Sequence, residues 1–123
     1  MRFLGWRSDV TTIYAASDVI VLTSDNEGMP VSLIEAASVG TPAVTTRVGS
    51  APEVVLDGVT GFVTEIDVDA LTRATIELIE SSELRRRMGA AAEQRARSEF
   101  GADRLVSDVS MLYERLADER GFA

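Results

Sequence analysis

The sequence contains no cysteine and no histidine, and all twelve of its basic residues are arginine. The absence of cysteine excludes disulfides, cysteine nucleophiles and cysteine-based zinc sites. Without histidine there is no histidine-dependent triad or general base, and without lysine no phosphate-binding lysine or Schiff base. Any chemistry of this chain therefore depends on carboxylates, hydroxyls, arginines or backbone amides.

Long apolar runs and positive charge are also scarce. No run approaches the ~20 apolar residues of a membrane span, and no signal peptide precedes the first predicted strand, so a cytoplasmic location is expected. The net charge of -8 argues against a nucleic-acid-binding surface. The 123 residues suffice for one compact domain. We predict a single domain over residues 1–123, with an α/β part at 1–64 and a helical part at 65–123.

One stretch of the chain combines a strand, a polar loop and a helix. Residues 19–22 (VIVL) are typical of a strand buried on both faces of a parallel sheet. After the loop comes Pro30, which is favoured in the first turn of a helix because no N–H is needed there. Gly40 and Pro42 end that helix. This geometry places a ligand at the carboxyl edge of a sheet, against a helix N-terminus.

Two carboxylates, Glu27 and Glu35, lie in this unit with seven residues between them. Glu27 falls in the loop, and Glu35 lies inside the helix on the same face as Val31. An unpaired buried charge is costly, so Glu35 requires an explanation. One explanation is structural, with the carboxylate pairing with an arginine or capping backbone amides. The other is that both carboxylates accept hydrogen bonds from ligand hydroxyls while the phosphates of that ligand face the helix end.

The remaining pattern predicts a Rossmann-like α/β fold. Further strands are predicted at residues 2–5, 42–45 and 61–64, giving about four parallel strands with flanking helices. Their carboxyl ends meet at one edge, so Glu27, Gly28, Gly49 and Ser50 should share a rim. No G-x-G-x-x-G motif is present, which gives a dinucleotide-binding interpretation little support.

Helices are predicted through the rest of the chain, beginning near Asp67, Ser82 and Asp103. The last has apolar residues in a three-four repeat, which is most simply a packing face. The run at residues 85–87 (RRR) is typical of a solvated helix face, and a contact with anionic lipid or a phosphorylated partner is the alternative. Near the start of the chain, Trp6 and Arg7 occupy a strand-to-helix turn. There they could contact a base or phosphate, or Trp6 could pack as a lid over the edge of the core.

Several of these segments resemble the retaining glycosyltransferases of family 4. They are residues 3–5 (FLG), 14–18 (YAASD), 27–42 (EGMPVSLIEAASVGTP) and 52–63 (PEVVLDGVTGFV). The resemblance extends over nearly the whole chain, and the Glu-x7-Glu pair is its most specific feature. It implies the GT-B architecture, in which two Rossmann-like domains face each other and the C-terminal one binds a nucleotide-sugar.

The resemblance also assigns roles to individual residues. Glu27, the candidate catalytic residue, would contact the hydroxyls of the donor sugar, and Glu35 would bind the ribose hydroxyls of the nucleotide. Backbone amides near Gly28, Met29 and Val31 would face the sugar and the diphosphate. Two positions depart from the usual glycines of the family: Pro30, which has no N–H, and Ser50. Trp6 and Arg7 are the only candidates for contacts to the base.

The resemblance further implies that this chain corresponds to the last portion of such an enzyme. The donor would be a UDP-, GDP- or ADP-linked sugar bound as substrate, with no cofactor and no metal. The segment that supplies phosphate-binding cations in the family has no counterpart here, so we expect little or no activity in isolation. The alternative is a non-catalytic Rossmann-like module that associates with a partner chain. Because one sheet edge would be left uncovered, a homodimer or complementation by the missing N-terminal portion is expected.

Overall fold

A computed structural model describes residues 1–121 of the chain. In this range six helices and three strands follow one another as α1 (Val10–Ala15), β1 (Ile20–Leu22), α2 (Val31–Ser38), β2 (Ala43–Thr46), α3 (Ala51–Val54), β3 (Gly61–Thr64), α4 (Val68–Glu80), α5 (Ser82–Glu99) and α6 (Ala102–Glu119). The strands form a parallel sheet in the order β1-β2-β3. The predicted class, a Rossmann-like parallel sheet with flanking and C-terminal helices, is confirmed.

The strand predicted at residues 2–5 is wrong. This segment has no strand conformation, and its apolar side chains lie in solvent, with Phe3 88% exposed. A parallel strand needs a neighbour that accepts and donates its backbone hydrogen bonds. No strand in the described range pairs with this segment, so the sheet has three strands instead of about four.

The core lies on both faces of the sheet because successive strand residues point to opposite sides. On one face, Ala43 and Val63 pack with Leu33 of α2 and Val54 of α3. On the other face, a second cluster surrounds Val44, where it packs with residues of α4 and α5: Ala74, Leu78 and Met88. The helices therefore cover both faces of β2, the central strand, as a doubly wound arrangement requires.

The ends of α4 and α5 follow their sequence signals. Asp67 caps α4 as predicted, its carboxylate accepting a hydrogen bond from the amide of Ala70 at 2.7 Å. Helix α5 begins at Ser82 as predicted, and the hydroxyl of Ser81 caps it. Arg85 donates to the carbonyls of Leu78 and Ile79 at 2.7 and 2.6 Å, where it stabilises the C-terminal end of α4. The other two arginines of the run are exposed, as expected for a solvated face.

Helices α2 and α5 approach each other closely at two glycines. A Cβ atom on Gly89 would overlap the carbonyl oxygen of Gly40 and lie 3.1 Å from its carbonyl carbon. Gly40 itself has a φ of +76°, the left-handed conformation that ends α2. This backbone contact fixes the position of α2, and thereby of the loop before it.

The apolar stripe of α6 is uncovered in the described structure. Leu105, Val109, Leu112 and Leu116 are all exposed, and the helix has no buried residue. The predicted packing face is therefore present as a stripe, while residues 1–121 supply nothing that covers it. No helix in this range is both long enough and apolar enough to cross a membrane.

Candidate functional site

The loop between β1 and α2 is held in place by a chain of hydroxyl contacts. Half-buried Glu27 accepts a hydrogen bond from Oγ of Ser24, with 2.6 Å between Oγ and Oε1. The hydroxyl of Thr46 in turn donates to the carbonyl oxygen of Ser24. Thr46 is fully buried at the carboxyl end of β2. The orientation of the Glu27 carboxylate is thus tied to the edge of the sheet.

A second loop, which follows β2, contacts the backbone of the loop that carries Glu27. Gly49 has a φ of +49°, and a Cβ atom there would overlap the carbonyl oxygen of Glu27. The amide of Ser50 donates to the carbonyl oxygen of Gly28 at 2.9 Å. The rim predicted from these four residues is therefore confirmed. Ser50 makes this contact between the loops through its backbone amide.

Helix α2 begins directly after Pro30, which is buried and occupies the N-cap position. No side chain among the described residues caps this end. The first-turn amides of Val31 and Ser32 therefore have no acceptor within the helix. The helix dipole adds positive potential at this N-terminal end. Met29 is exposed beside them. The arrangement favours a negatively charged group at the rim.

Glu35 is half-buried on α2, and the side chain near its carboxylate is that of Tyr14, not that of an arginine. Burial raises the pKa of Tyr14 above its ordinary value of 10.0, and the nearby charge and hydrogen bonding of Glu35 raise this pKa further. Within residues 1–121, neither Glu27 nor Glu35 takes part in an ion pair. Of the two forms of the structural explanation for Glu35, the arginine pairing is therefore not found in the described chain.

The proximity of Tyr14 and Glu35 predicts a measurable shift in titration. In a Tyr113→Phe background, where Tyr14 is the only tyrosine, its pKa is expected above 10.0. Glu35→Gln should lower this pKa while leaving it above 10.0, because burial is the larger cause. Since the folded chain keeps the proton longer than the unfolded chain, stability should fall as the pH rises from about 10. Ultraviolet absorbance of tyrosinate measures the pKa, and a value unaffected by Glu35→Gln would contradict the contact.

Trp6 and Arg7, the two residues predicted to contact a base, are both exposed to solvent. Trp6 is 89% exposed, so the lid over the core is not formed in the described structure. Two guanidinium nitrogens of Arg7, Nε and Nη2, donate to the Asp9 carboxylate, at 2.7 and 2.6 Å. This pairing raises the pKa of Arg7 and lowers the pKa of Asp9. The roles of Trp6 and Arg7 in binding a donor stay predictions.

Two positioning residues, Ser24 and Thr46, were missed by sequence reasoning, and so was the proximity of Tyr14 to Glu35. Their common signal is a hydroxyl at a strand end or beside the predicted helix. Thr45 and Thr46 are both buried at the end of an otherwise apolar strand, and a buried hydroxyl requires a hydrogen-bond partner. That requirement could have indicated a contact with the neighbouring loop, although not which residue would accept the bond.

A separate groove of about 540 Å³ lies beside the other face of α2, between α5 and α6. Its apolar lining includes Met29, Ile34 and Phe100, and Glu53, Glu99 and Asp108 contribute carboxylates. Neither Glu27 nor Glu35 lines it. The predicted site and this groove are therefore two different surfaces that meet near Met29.

Known proteins share this sequence pattern. Residues 1–95 match the family model described as glycosyl transferases group 1. N-acetyl-alpha-D-glucosaminyl L-malate synthase of Bacillus anthracis is 35% identical over 112 residues, 90% of this chain and 29% of that protein. D-inositol 3-phosphate glycosyltransferase of Corynebacterium efficiens is 35% identical over 92% of this chain and 27% of its own length. The chain thus spans less than a third of these relatives.

Solved structures agree with the sequence matches. Alr3699/HepE of Anabaena in complex with UDP superposes with a TM-score of 0.82 at 28% identity, over 95% of this chain and 32% of that one. The same protein with UDP-glucose gives a TM-score of 0.78 at 29% identity, with the same coverage. The sheet and helices described above therefore match the GT-B glycosyltransferase fold. With a family model that matches residues 1–95 and relatives at 35% identity, this chain belongs to the glycosyl transferases group 1 family.

Proposed function

We propose that this chain supplies the donor-binding part of a retaining glycosyltransferase that transfers a sugar from a nucleotide-sugar to an acceptor. The observation that carries the proposal is the rim itself. There the Glu27 carboxylate is fixed by Ser24, and the uncapped end of α2 presents its amides beside it. Glu35 follows on the same helix without a cationic partner in the described range. UDP and UDP-glucose in the solved relative fit the chemistry of such a rim.

Glycosyl transfer separates a cationic sugar from a departing diphosphate, so positioning and electrostatics dominate its catalysis. In this proposal Glu27 holds the donor-sugar hydroxyls in one orientation. The amides near Gly28, Met29 and Val31 stabilise the negative charge that grows on the diphosphate. Glu35 accepts hydrogen bonds from the ribose. No metal is needed for these roles.

Replacement of Glu35 by alanine should weaken donor binding without unfolding the chain. A carboxylate that accepts from two ribose hydroxyls contributes about 1.5–3 kcal/mol, so the Kd should rise about 10- to 150-fold. Calorimetry with UDP-, GDP- and ADP-linked sugars measures the affinity. Trp6, the only tryptophan, gives a second readout by fluorescence. The matched control is Glu80→Ala on α4, an exposed glutamate that should leave binding unchanged. Equal Kd values for wild type and Glu35→Ala would remove the ribose role.

The purified chain is expected to show little or no turnover with any of these donors. In this proposal the acceptor site and the phosphate-binding cations lie in a segment that these 123 residues do not contain. The one arginine that directly follows β2, Arg47, is paired with Glu65 at 3.1 Å. Turnover comparable to that of a full-length relative would contradict this expectation.

A second candidate function is a non-catalytic module that associates with another chain. It is favoured by β1, which is an edge strand of the sheet and in which Val21 is 42% exposed. Val21 also lines an apolar groove with Val68, Leu71 and Ile76 of α4. An uncovered strand edge invites pairing with another chain. Val21→Lys would block such pairing and leave the rim intact. Donor binding that is retained in this variant, together with lost association, would separate the two functions.

A further inference from the structure

The two oxygens of the Glu27 carboxylate have different surroundings. Oε1 accepts the hydrogen bond from Oγ of Ser24 at 2.6 Å. Oε2 accepts no hydrogen bond from residues 1–121 and takes part in no ion pair with them. In the same range the only buried side-chain polar atom without a hydrogen-bond partner is Nε of Arg95, so Oε2 must reach solvent. One oxygen is thus held by the protein, and the other is open to a ligand.

The backbone around this carboxylate is fixed as well. The hydroxyl of buried Thr46 donates to the carbonyl oxygen of Ser24, so the serine cannot turn away from Glu27 without breaking a contact to β2. The carbonyl of Glu27 itself lies against Gly49. Because the backbone and Oε1 are both held, Oε2 presents its lone pairs in one direction.

Resting on the proposed function, in which Glu27 contacts the donor sugar, we propose that Ser24 determines which donor sugars bind. By holding Oε1, its hydroxyl leaves Glu27 with one fixed acceptor atom, Oε2. An ionised carboxylate accepts hydrogen bonds and donates none. The site therefore selects sugars that carry a hydroxyl or N–H group at the position facing Oε2, and it rejects sugars in which this donor is missing.

The rejection depends on the carboxylate being held. A site that is built to hydrogen-bond a substrate hydroxyl discriminates against an analogue without it, because its own polar group is then left unpaired. A carboxylate that is free to rotate can turn to water and escape this penalty. Without the Ser24 hydroxyl, Glu27 should also lose more conformational entropy when it binds the sugar. Removal of this hydroxyl should therefore weaken the discrimination and leave the binding of the nucleotide part intact.

A purely local role for Ser24 makes a different prediction. If its hydrogen bond only braced the loop between β1 and α2, its loss would also disturb the amides at the start of α2. UDP, UDP-glucose and every analogue would then bind more weakly by the same factor. The ratio of two affinities, measured on one variant, separates selection of the sugar from bracing of the loop.

Titration of the 123-residue chain with UDP-glucose and its deoxyfluoro analogues tests the proposal. Fluorine replaces one sugar hydroxyl at a time and cannot donate a hydrogen bond, and its own NMR signal reports weak binding. For the wild type we expect one analogue to bind about tenfold more weakly than UDP-glucose. In Ser24→Ala this ratio should fall to about threefold or less, while the Kd of UDP stays within about twofold.

Two further variants control for the loss of a hydroxyl. Ser24→Thr keeps the hydroxyl and should keep the discrimination. Ser38→Ala removes the same group from the other end of α2, where it donates to the carbonyl oxygen of Glu35 at 2.7 Å, and should change no ratio. Circular dichroism checks that each variant is folded. Without any donor, the side-chain carboxyl carbon of Glu27 should shift its NMR signal in Ser24→Ala, while the corresponding signal of Glu35 should not move.

Glu27→Gln distinguishes failure of this proposal from failure of the proposed function. Lost discrimination in Glu27→Gln, together with discrimination that survives in Ser24→Ala, would overturn the role of Ser24 and leave the proposed function standing. Equal weakening of UDP and all sugar donors by Ser24→Ala would overturn it too, as would an unmoved Glu27 signal. A ratio that Glu27→Gln leaves unchanged, or a wild type that binds no UDP-glucose, would overturn both.

Discussion

Replacement of Gly49 by alanine is expected to lower the free energy of unfolding by about 2–4 kcal/mol and to weaken donor binding more than tenfold. Two costs combine. A non-glycine residue with positive φ costs about 1–2 kcal/mol, and Gly49 has a φ of +49°. The new methyl group would also overlap the Glu27 carbonyl and lie 2.9 Å from the carbonyl oxygen of Gly28. The loop that positions Glu27 must move to make room. Urea unfolding measures the first effect and calorimetry the second.

Gly58→Ala is the matched control for this substitution. Gly58 has a φ of +73°, and nothing lies within 4 Å of an added Cβ. Its replacement should therefore cost only the backbone strain, about 1–2 kcal/mol, and should leave donor binding unchanged. The difference between the two variants isolates the contact between the two rim loops. Equal losses of stability and equal donor affinities in both variants would show that this contact is unimportant.

The second large effect is expected from Gly89→Ala. Within a helix this change alone would stabilise the chain by up to about 1 kcal/mol, because alanine has the higher helix propensity. Here the methyl group would overlap the Gly40 carbonyl and lie 3.5 Å from Cδ of Pro42. Separation of α5 from α2 should cost about 3 kcal/mol, the upper end for an overpacked contact, because the overlap is with backbone. It should therefore outweigh the propensity gain, with a net loss of about 2 kcal/mol.

Ala90→Gly measures the difference in helix propensity between alanine and glycine by itself, since Ala90 is exposed on the same helix. It should cost up to about 1 kcal/mol. Thermal or urea unfolding of both variants gives the comparison. If Gly89→Ala were more stable than the wild type, the close approach of the two helices would be wrong.

Much of the fold could be predicted because local signals and burial agree in most elements. The strand predicted at residues 19–22 occurs as Ile20–Leu22, but its predicted burial on both faces is wrong, because β1 is an edge strand with Val21 42% exposed. Asp67 caps α4 as its sequence position indicates. The segment at residues 2–5 has equally apolar residues, but a strand also needs a partner, and propensity does not report whether one exists. The same limit applies to α6, whose periodicity predicted an apolar stripe without showing what covers it.

The candidate site was predictable in its position but not in its supporting contacts. Glu27, Gly28, Gly49 and Ser50 could be placed on one rim, because parallel strands end at the same edge of a sheet. The hydroxyl that holds Glu27 and the tyrosine beside Glu35 could not. Such contacts depend on side-chain directions across elements that are distant in sequence, as with Ser24 and Thr46, which are 22 positions apart. The assigned roles of Trp6, Arg7 and the α2 amides stay predictions.

The most direct test of the proposed donor site is an NMR titration of the isotope-labelled chain with UDP-glucose, carried to about 10 mM because even a Kd of 1 mM corresponds to only about 4 kcal/mol. We predict that the amide signals of Gly28, Met29, Val31 and Ser32 shift together in a saturable manner, and that Glu35→Ala weakens this response. The absence of shifts at the rim, or shifts confined to the groove around Arg95 and Phe100, would contradict the account.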